Sequence, residues 1–157
     1  MRDRGPVKPQ LEAAFTITAD IAPPLSSGPG PLGERLHIAI LGGTVAGPRL
    51  NGVILPGGSD WPLIQSNGTS RISAFYTIRA DDGTPILVRN EGLRVSSPEV
   101  LRRLRSAGSV SPDDYYFRST PRFEAPEGSH GWLNETIFVA SLMPLGQRIV
   151  VDVFAVR

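Results

Sequence analysis

Asp60 follows two glycines and precedes a tryptophan in the segment Gly57-Gly58-Ser59-Asp60-Trp61. Two glycines permit a sharp bend or a bulge. A carboxylate set against an indole loses water, which raises its pKa and suits it to give or take a proton. The same aspartate can instead brace the turn through its own backbone, and the sequence leaves both readings open. Tyr76 falls on the apolar side of an alternating run, so its phenol is expected to point inward and to need a hydrogen-bond partner from the protein or from a ligand. In Tyr115-Tyr116-Phe117-Arg118-Ser119-Thr120-Pro121-Arg122-Phe123, Tyr116, Arg118, Thr120 and Arg122 share one face; Tyr115, Phe117 and Phe123 share the other. The polar face is either a wall that binds a carboxylate or enolate, with Arg118 as the cation, or a solvated exterior. Asn134 and Glu135 pose the same question after Trp132. Asn134 lies on the Trp132 and Phe138 face and Glu135 on the Leu133 and Ile137 face.

Other chemistries lack their residues. The chain has no cysteine, which removes disulfides, thiolate nucleophiles and Cys-ligated metals. No G-x-S-x-G elbow, P-loop or dinucleotide fingerprint occurs. Gly42-Gly43-Thr44-Val45-Ala46-Gly47 is glycine-rich but has the wrong spacing for phosphate. The two histidines, His37 and His130, have no metal-binding spacing and are expected at the surface or in loop packing. Charge is balanced, 16 Lys+Arg against 15 Asp+Glu over 157 residues, which argues against an electrostatic nucleic-acid binder. No apolar stretch follows the charged N-terminus and none approaches the length of a membrane helix. A cytoplasmic protein is the expectation, and the sequons at Asn67 and Asn134 are read as coincidental.

The elements that must position these residues are mainly strands. Gly and Pro are abundant, 17 and 15 residues, so turns are frequent. Residues 1–10 read as a flexible tail and 11–157 as one domain. Alternation predicts strands from Leu11, over Leu36–Leu41, Val53–Leu55, Trp61–Ile64, Arg71–Ala80, Ile86–Val88, Tyr115–Phe123, Trp132–Leu142 and Arg148–Val156. Pro23–Pro31 reads as an irregular connection. Asn67-Gly68 and Asp82-Gly83 mark hairpins. One helix is expected, capped by Ser97 with Pro98 at its first position and ended by Gly108. About eight antiparallel strands with one short helix predict an all-β barrel; a β-sandwich is the alternative.

Gly42-Gly43-Thr44, Gly57-Gly58-Ser59-Asp60-Trp61, Tyr76 with Asp82-Gly83, Tyr116-Phe117-Arg118 with Thr120-Pro121-Arg122-Phe123, and Trp132-Leu133-Asn134 follow one another in this order. The set resembles the family called domain of unknown function 3237, or UPF0311, over residues 11–157. The resemblance implies a small β-barrel of calycin or allene-oxide-cyclase-like shape and a metabolic protein handling small organic molecules. Asp60, Trp61, Tyr76, Tyr116, Arg118 and Asn134 carry over as candidate pocket residues without assigned roles. Two positions depart from the family pattern: Phe75 stands where a basic or polar residue usually precedes the tyrosine, and Glu135 adds a carboxylate.

The resulting expectation is a cofactor-independent enzyme, an isomerase, cyclase or lyase/hydratase. Asp60, Tyr76 and Arg118 are its catalytic candidates; Trp61, Tyr116, Asn134 and Glu135 are its substrate-binding candidates. It needs no metal. Its partner is a small organic ligand, not nucleic acid or membrane, with a homo-oligomer possible. The alternatives are a non-catalytic small-molecule binding protein and a structural oligomeric barrel.

Overall fold

Period-two burial dominates the chain, because each strand shows one side to a shared interior and the other to water. The computed structural model describes residues 4–106 and 109–157. Its strands are β1 (Leu11–Ile21), β2 (Leu25–Gly30), β3 (Gly33–Ala46), β4 (Gly52–Ile54), β5 (Gly58–Asp60), β6 (Leu63–Ile64), β7 (Ser70–Ala80), β8 (Pro85–Val95), β9 (Tyr116–Glu124), β10 (Phe138–Leu145) and β11 (Arg148–Val156). The helix α1 (Pro98–Arg105) joins β8 to β9. Antiparallel pairing runs β1-β11-β10-β9-β8-β7. From β7 it passes through the short pieces β4, β5 and β6 to β3, and β3 pairs back with β1. The result is a closed eight-stranded barrel, with β4, β5 and β6 filling one strand position and β2 a hairpin arm on β3. A two-sheet sandwich is thereby excluded.

The sequence breaks the composite strand where it can least sustain a ladder. Pro56 and Gly57 separate β4 from β5, and Pro62 separates β5 from β6. Proline cannot donate to a ladder. Gly58 is instead required by proximity: a Cβ there would collide with Tyr76 and lie 2.7 Å from the Phe75 carbonyl oxygen.

Several local expectations shift. The Pro23–Pro31 connection contains β2, paired with β3 through Leu25↔His37 and Ser26↔Leu36. The strand expected at Ile86–Val88 continues to Val95. The strand expected from Trp132 starts only at Phe138; Gly131–Glu135 is a 3-10 turn. Ser97 caps α1 as expected, its Oγ accepting from the Val100 N–H at 3.2 Å. The helix expectation at Gly108 lies outside the described residues, and Ser106 is the C-cap. Among the described residues no helix is long and apolar enough to cross a membrane.

One part of the interior is an aromatic plug. Phe15, Phe123 and Phe138 meet edge-on or tilted with centroids 5.0 to 6.3 Å apart, geometries that favour aromatic rings beyond area burial. Ile78, Ile86, Val88 and Val153 fill the space around them.

Closure passes through Gly43, whose φ is +143° and whose added Cβ would strike the Thr18 carbonyl oxygen and the Ile54 side chain. Gly43→Ala is expected to cost about 2–4 kcal/mol or more, the range for a bulk change in a close-packed, positive-φ site. Urea unfolding checks it, with the midpoint falling at unchanged m-value.

Candidate functional site

The break between β5 and β6 sets the position of Asp60. The Trp61 N–H donates to the Ser73 carbonyl at 3.1 Å, the Trp61 carbonyl accepts from Arg35 at 2.8 Å, and the Asp60 carboxylate accepts the Ser73 N–H at 3.0 Å. Asp60 lies opposite Ala74 on β7 and Ile38 on β3. Cross-strand partners point to the same side of a sheet, so Asp60 faces the lumen. Tyr76 is two residues beyond Ala74 on that face and is buried.

Burial dominates the electrostatics of both groups. It pushes the Asp60 carboxyl up to about 6, against the lowering effects of the Ser73 and Trp61 N–H groups and of Arg94. The Tyr76 phenol is pushed well above its ordinary range by burial, with a further upward contribution from the Asp60 charge. The carboxylate thus bonds across to β7, and its pKa is raised.

The lumen holds polar groups that the expected strand boundaries hid. On β8, Asn90 lies opposite Ala74 and Pro121, and Arg94 opposite Ser70 and Phe117. On β9, Ser119 lies opposite Gly92 and Ala140. Ile86, Val88, Asn90, Gly92 and Arg94 form one alternating series; extending the strand past Val88 would have found Asn90 and Arg94 from sequence. Tyr115, just before β9, completes the group, its phenol raised by burial and lowered by Arg94. Burial likewise lowers the pKa of Arg94, with Arg105 pushing the same way and Tyr115 and Asp60 opposing. Facing this polar wall, β1, β3, β10 and β11 present Ile17, Ile40, Leu142 and Val151.

The other expected site residues lie elsewhere. Arg118 and Tyr116 are on the outer face of β9: Tyr116 is 52 % exposed, and the Arg118 guanidinium sits 5.4 Å from its ring centroid. Phe117 and Ser119 take the inward positions, and strand parity therefore excludes Arg118 and Tyr116 from the lumen. Trp61 is also outside, stacked on His37 at 5.5 Å, while His37 Nε2 bonds the Ser59 hydroxyl at 2.8 Å. It gives Asp60 a backbone N–H rather than an indole face. Phe75 is exterior and lies under Arg89. Glu135 is exposed. Asn134 clamps the backbone of Ala125, donating to its carbonyl at 2.8 Å and accepting from its N–H at 2.9 Å; this pair of hydrogen bonds ties the 3-10 turn to the end of β9. His130 pairs with Asp82 at 2.8 Å, and the Thr84 backbone N–H leads the interactions that hold Asp82 down to about 2.

Among the described residues the surface carries open depressions, two of which can be defined by their lining. One of about 520 Å³ is lined by Asp20, Ile21, Leu41, Leu145, Gln147 and Arg148; one of about 220 Å³ lies along the β2–β3 arm. Neither is lined by Asp60, Tyr76, Asn90 or Arg94. Among the described residues no cluster of three or more His, Asp or Glu is arranged to hold a metal.

Asn134→Ala leaves two backbone groups of Ala125 unpaired and is expected to cost about 1–3 kcal/mol without changing the pH behaviour of Asp60. Thermal unfolding together with carboxyl NMR titration reads both.

The comparisons agree with this architecture. A UPF0311 protein of Rhodopseudomonas palustris is 39% identical over 150 residues, covering 94% of this chain and 98% of that one. The crystal structure of a conserved R. palustris protein of unknown function superposes with a TM-score of 0.91 at 36% identity, covering 97% of this chain and 100% of the other. A protein of Acinetobacter baumannii described as beta-barrel like gives 0.85 at 35% identity, covering 98% and 99%. A protein of Penicillium herquei described as an enzyme shares the fold, with a TM-score of 0.74 at 20% identity and 98% of each chain covered. The family model described as protein of unknown function (DUF3237) matches residues 9–156, and the chain belongs to that family.

Proposed function

We propose that the barrel is a cofactor-independent acid/base enzyme acting on a small organic molecule, of the isomerase, cyclase or lyase/hydratase kind. The observation that carries this reading is the pair Asp60 and Tyr76, one lumen-facing carboxyl raised to about 6 beside one buried phenol held protonated. A base works best when its pKa lies near the operating pH. Asp60 takes a proton from substrate and returns it at another position, while the Tyr76 hydroxyl donates to the oxygen where negative charge develops.

A non-catalytic barrel is the second reading. It is supported by the lining of the two depressions described above, which includes neither Asp60 nor Tyr76. Turnover on a substrate found by metabolite screening separates the two. Asp60→Asn and Tyr76→Phe are each expected to lower kcat/KM by roughly 10²-fold or more; unchanged turnover in both variants refutes the enzymatic reading. In the wild type, kcat/KM is expected to rise with pH through a midpoint near 6 and then level off, because the base must be ionised.

The same raised carboxyl has a stability signature. Ionisation of Asp60 is harder in the folded chain than in the unfolded one. Its favourable contribution is therefore full below the ordinary aspartate range and is lost as pH rises through about 6. Asp60→Asn keeps an oxygen to accept from Ser73 and removes the buried charge. It is expected to stabilise the protein by about 1–3 kcal/mol at pH 8 relative to its effect at pH 4. Denaturant unfolding at the two pH values measures this and shows that any lost turnover is not lost folding.

A further inference from the structure

We infer that Arg94, with Ser119 and Asn90, is a binding site for the carboxylate of a small organic acid. This deepens the proposed function, resting on the reading of the lumen as the substrate site, and assigns the substrate class.

Arg94 is an inward cation without an anion bound to it. Its Nε is buried and makes no hydrogen bond, and none of the salt bridges among the described residues includes it. Asp60 acts on it only through the field across the lumen. Its guanidinium carbon lies 5.7 Å from the Phe117 ring centroid. Two neighbours are unsatisfied in the same way. Ser119 Oγ and Asn90 Oδ1 are buried without partners, in residues only 4 % and 3 % exposed. Buried polar groups are nearly always paired, and each one left unpaired costs free energy. Three such groups on adjacent strands, separated by side-chain-free Gly92, point to a ligand that pairs them.

The donor pattern selects the ligand. A guanidinium offers parallel N–H groups that match a carboxylate, and the Ser119 hydroxyl supplies a further donor. The free Asn90 carbonyl oxygen requires a donor from the ligand, such as a hydroxyl on the acid. A dianionic phosphate fits poorly, because one arginine must offset two charges in a lumen that Asp60 also faces. Phe117 lies opposite Arg94, and Leu142 pairs with Val151 in the same apolar core; these suit a flat apolar body. The carboxylate at Arg94 would place the remainder of the molecule toward Asp60 and Tyr76.

The test uses the full chain with phenylacetate, mandelate and their methyl esters as probes, followed by calorimetry and ligand-observed NMR. The wild type is expected to bind each acid at least about tenfold more tightly than its ester, the scale of one charge-assisted contact, with transferred NOEs from the probe ring to Phe117. Arg94→Met is expected to bring acid and ester within about twofold, while Arg94→Lys keeps part of the preference. Equal binding of acid and ester by the wild type, absence of binding by either acid, or a preference that survives in Arg94→Met overturns the proposal. The NOEs to Phe117 keep the test decisive if Arg94→Met does not fold. Asp60→Asn separates this inference from the catalytic reading: it is expected to bind the acids as well as the wild type or better, whatever happens to turnover.

Discussion

Closure of the sheet through β1 is the constraint on which the rest of this molecule depends. β1 pairs with β11 along one edge, from Leu11↔Val156 to Asp20↔Arg148, and with β3 along the other, from Thr16↔Ala46 to Ile21↔Ile40. An open sheet of these strands would expose two edges and leave its inner face unprotected. Closed, it has a defined inside, and strand parity assigns every side chain to the lumen or the exterior. The seam demands close backbone approach, which is why Gly43 stands where it does.

Within that closed wall, the composite strand of β4, β5 and β6 is the weak place. Prolines and glycines interrupt its ladder, and a side chain makes up part of the loss. Asp60 accepts the Ser73 N–H. The energetic consequence is mixed. The hydrogen bond is satisfied, yet the carboxylate is drawn into a poorly hydrated space, and burial outweighs the groups that stabilise its charge. Sites that violate a local rule at a cost in stability are common where a protein does chemistry.

The lumen has two characters. Phe15, Phe123 and Phe138 pack as an ordinary apolar core, while Asp60, Tyr76, Asn90, Arg94 and Ser119 concentrate on the wall made by β5, β7, β8 and β9. The exterior also carries aromatic and arginine pairs, such as Arg118 with Tyr116 and Arg89 with Phe75. In sequence the two kinds of pair look alike. Phe117-Arg118 and Leu93-Arg94 are both an apolar residue followed by arginine; only the second arginine is inside.

Much of the architecture was determined by the sequence alone. Alternation along residues 71–80 and 148–156, the hairpin at Asn67-Gly68 and the Ser97-Pro98 cap all act through neighbours a few residues apart, so local pattern suffices to specify them. The inward placement of Tyr76 followed from the same alternation. What alternation cannot supply is the absolute face of a strand whose two sides are both mixed. Tyr116, Arg118, Trp61 and Asn134 were ambiguous for that reason, and only pairing with distant strands, or with Ala125 in the case of Asn134, assigned them. Asn90 and Arg94 were hidden because the expected strand stopped at Val88, whereas ladder bonds to β7 and β9 on both sides carry it on to Val95. Local preference amounts to about 1 kcal/mol per residue; cooperative pairing within a closed sheet outweighs it, so the composition of the polar wall was decided by tertiary structure.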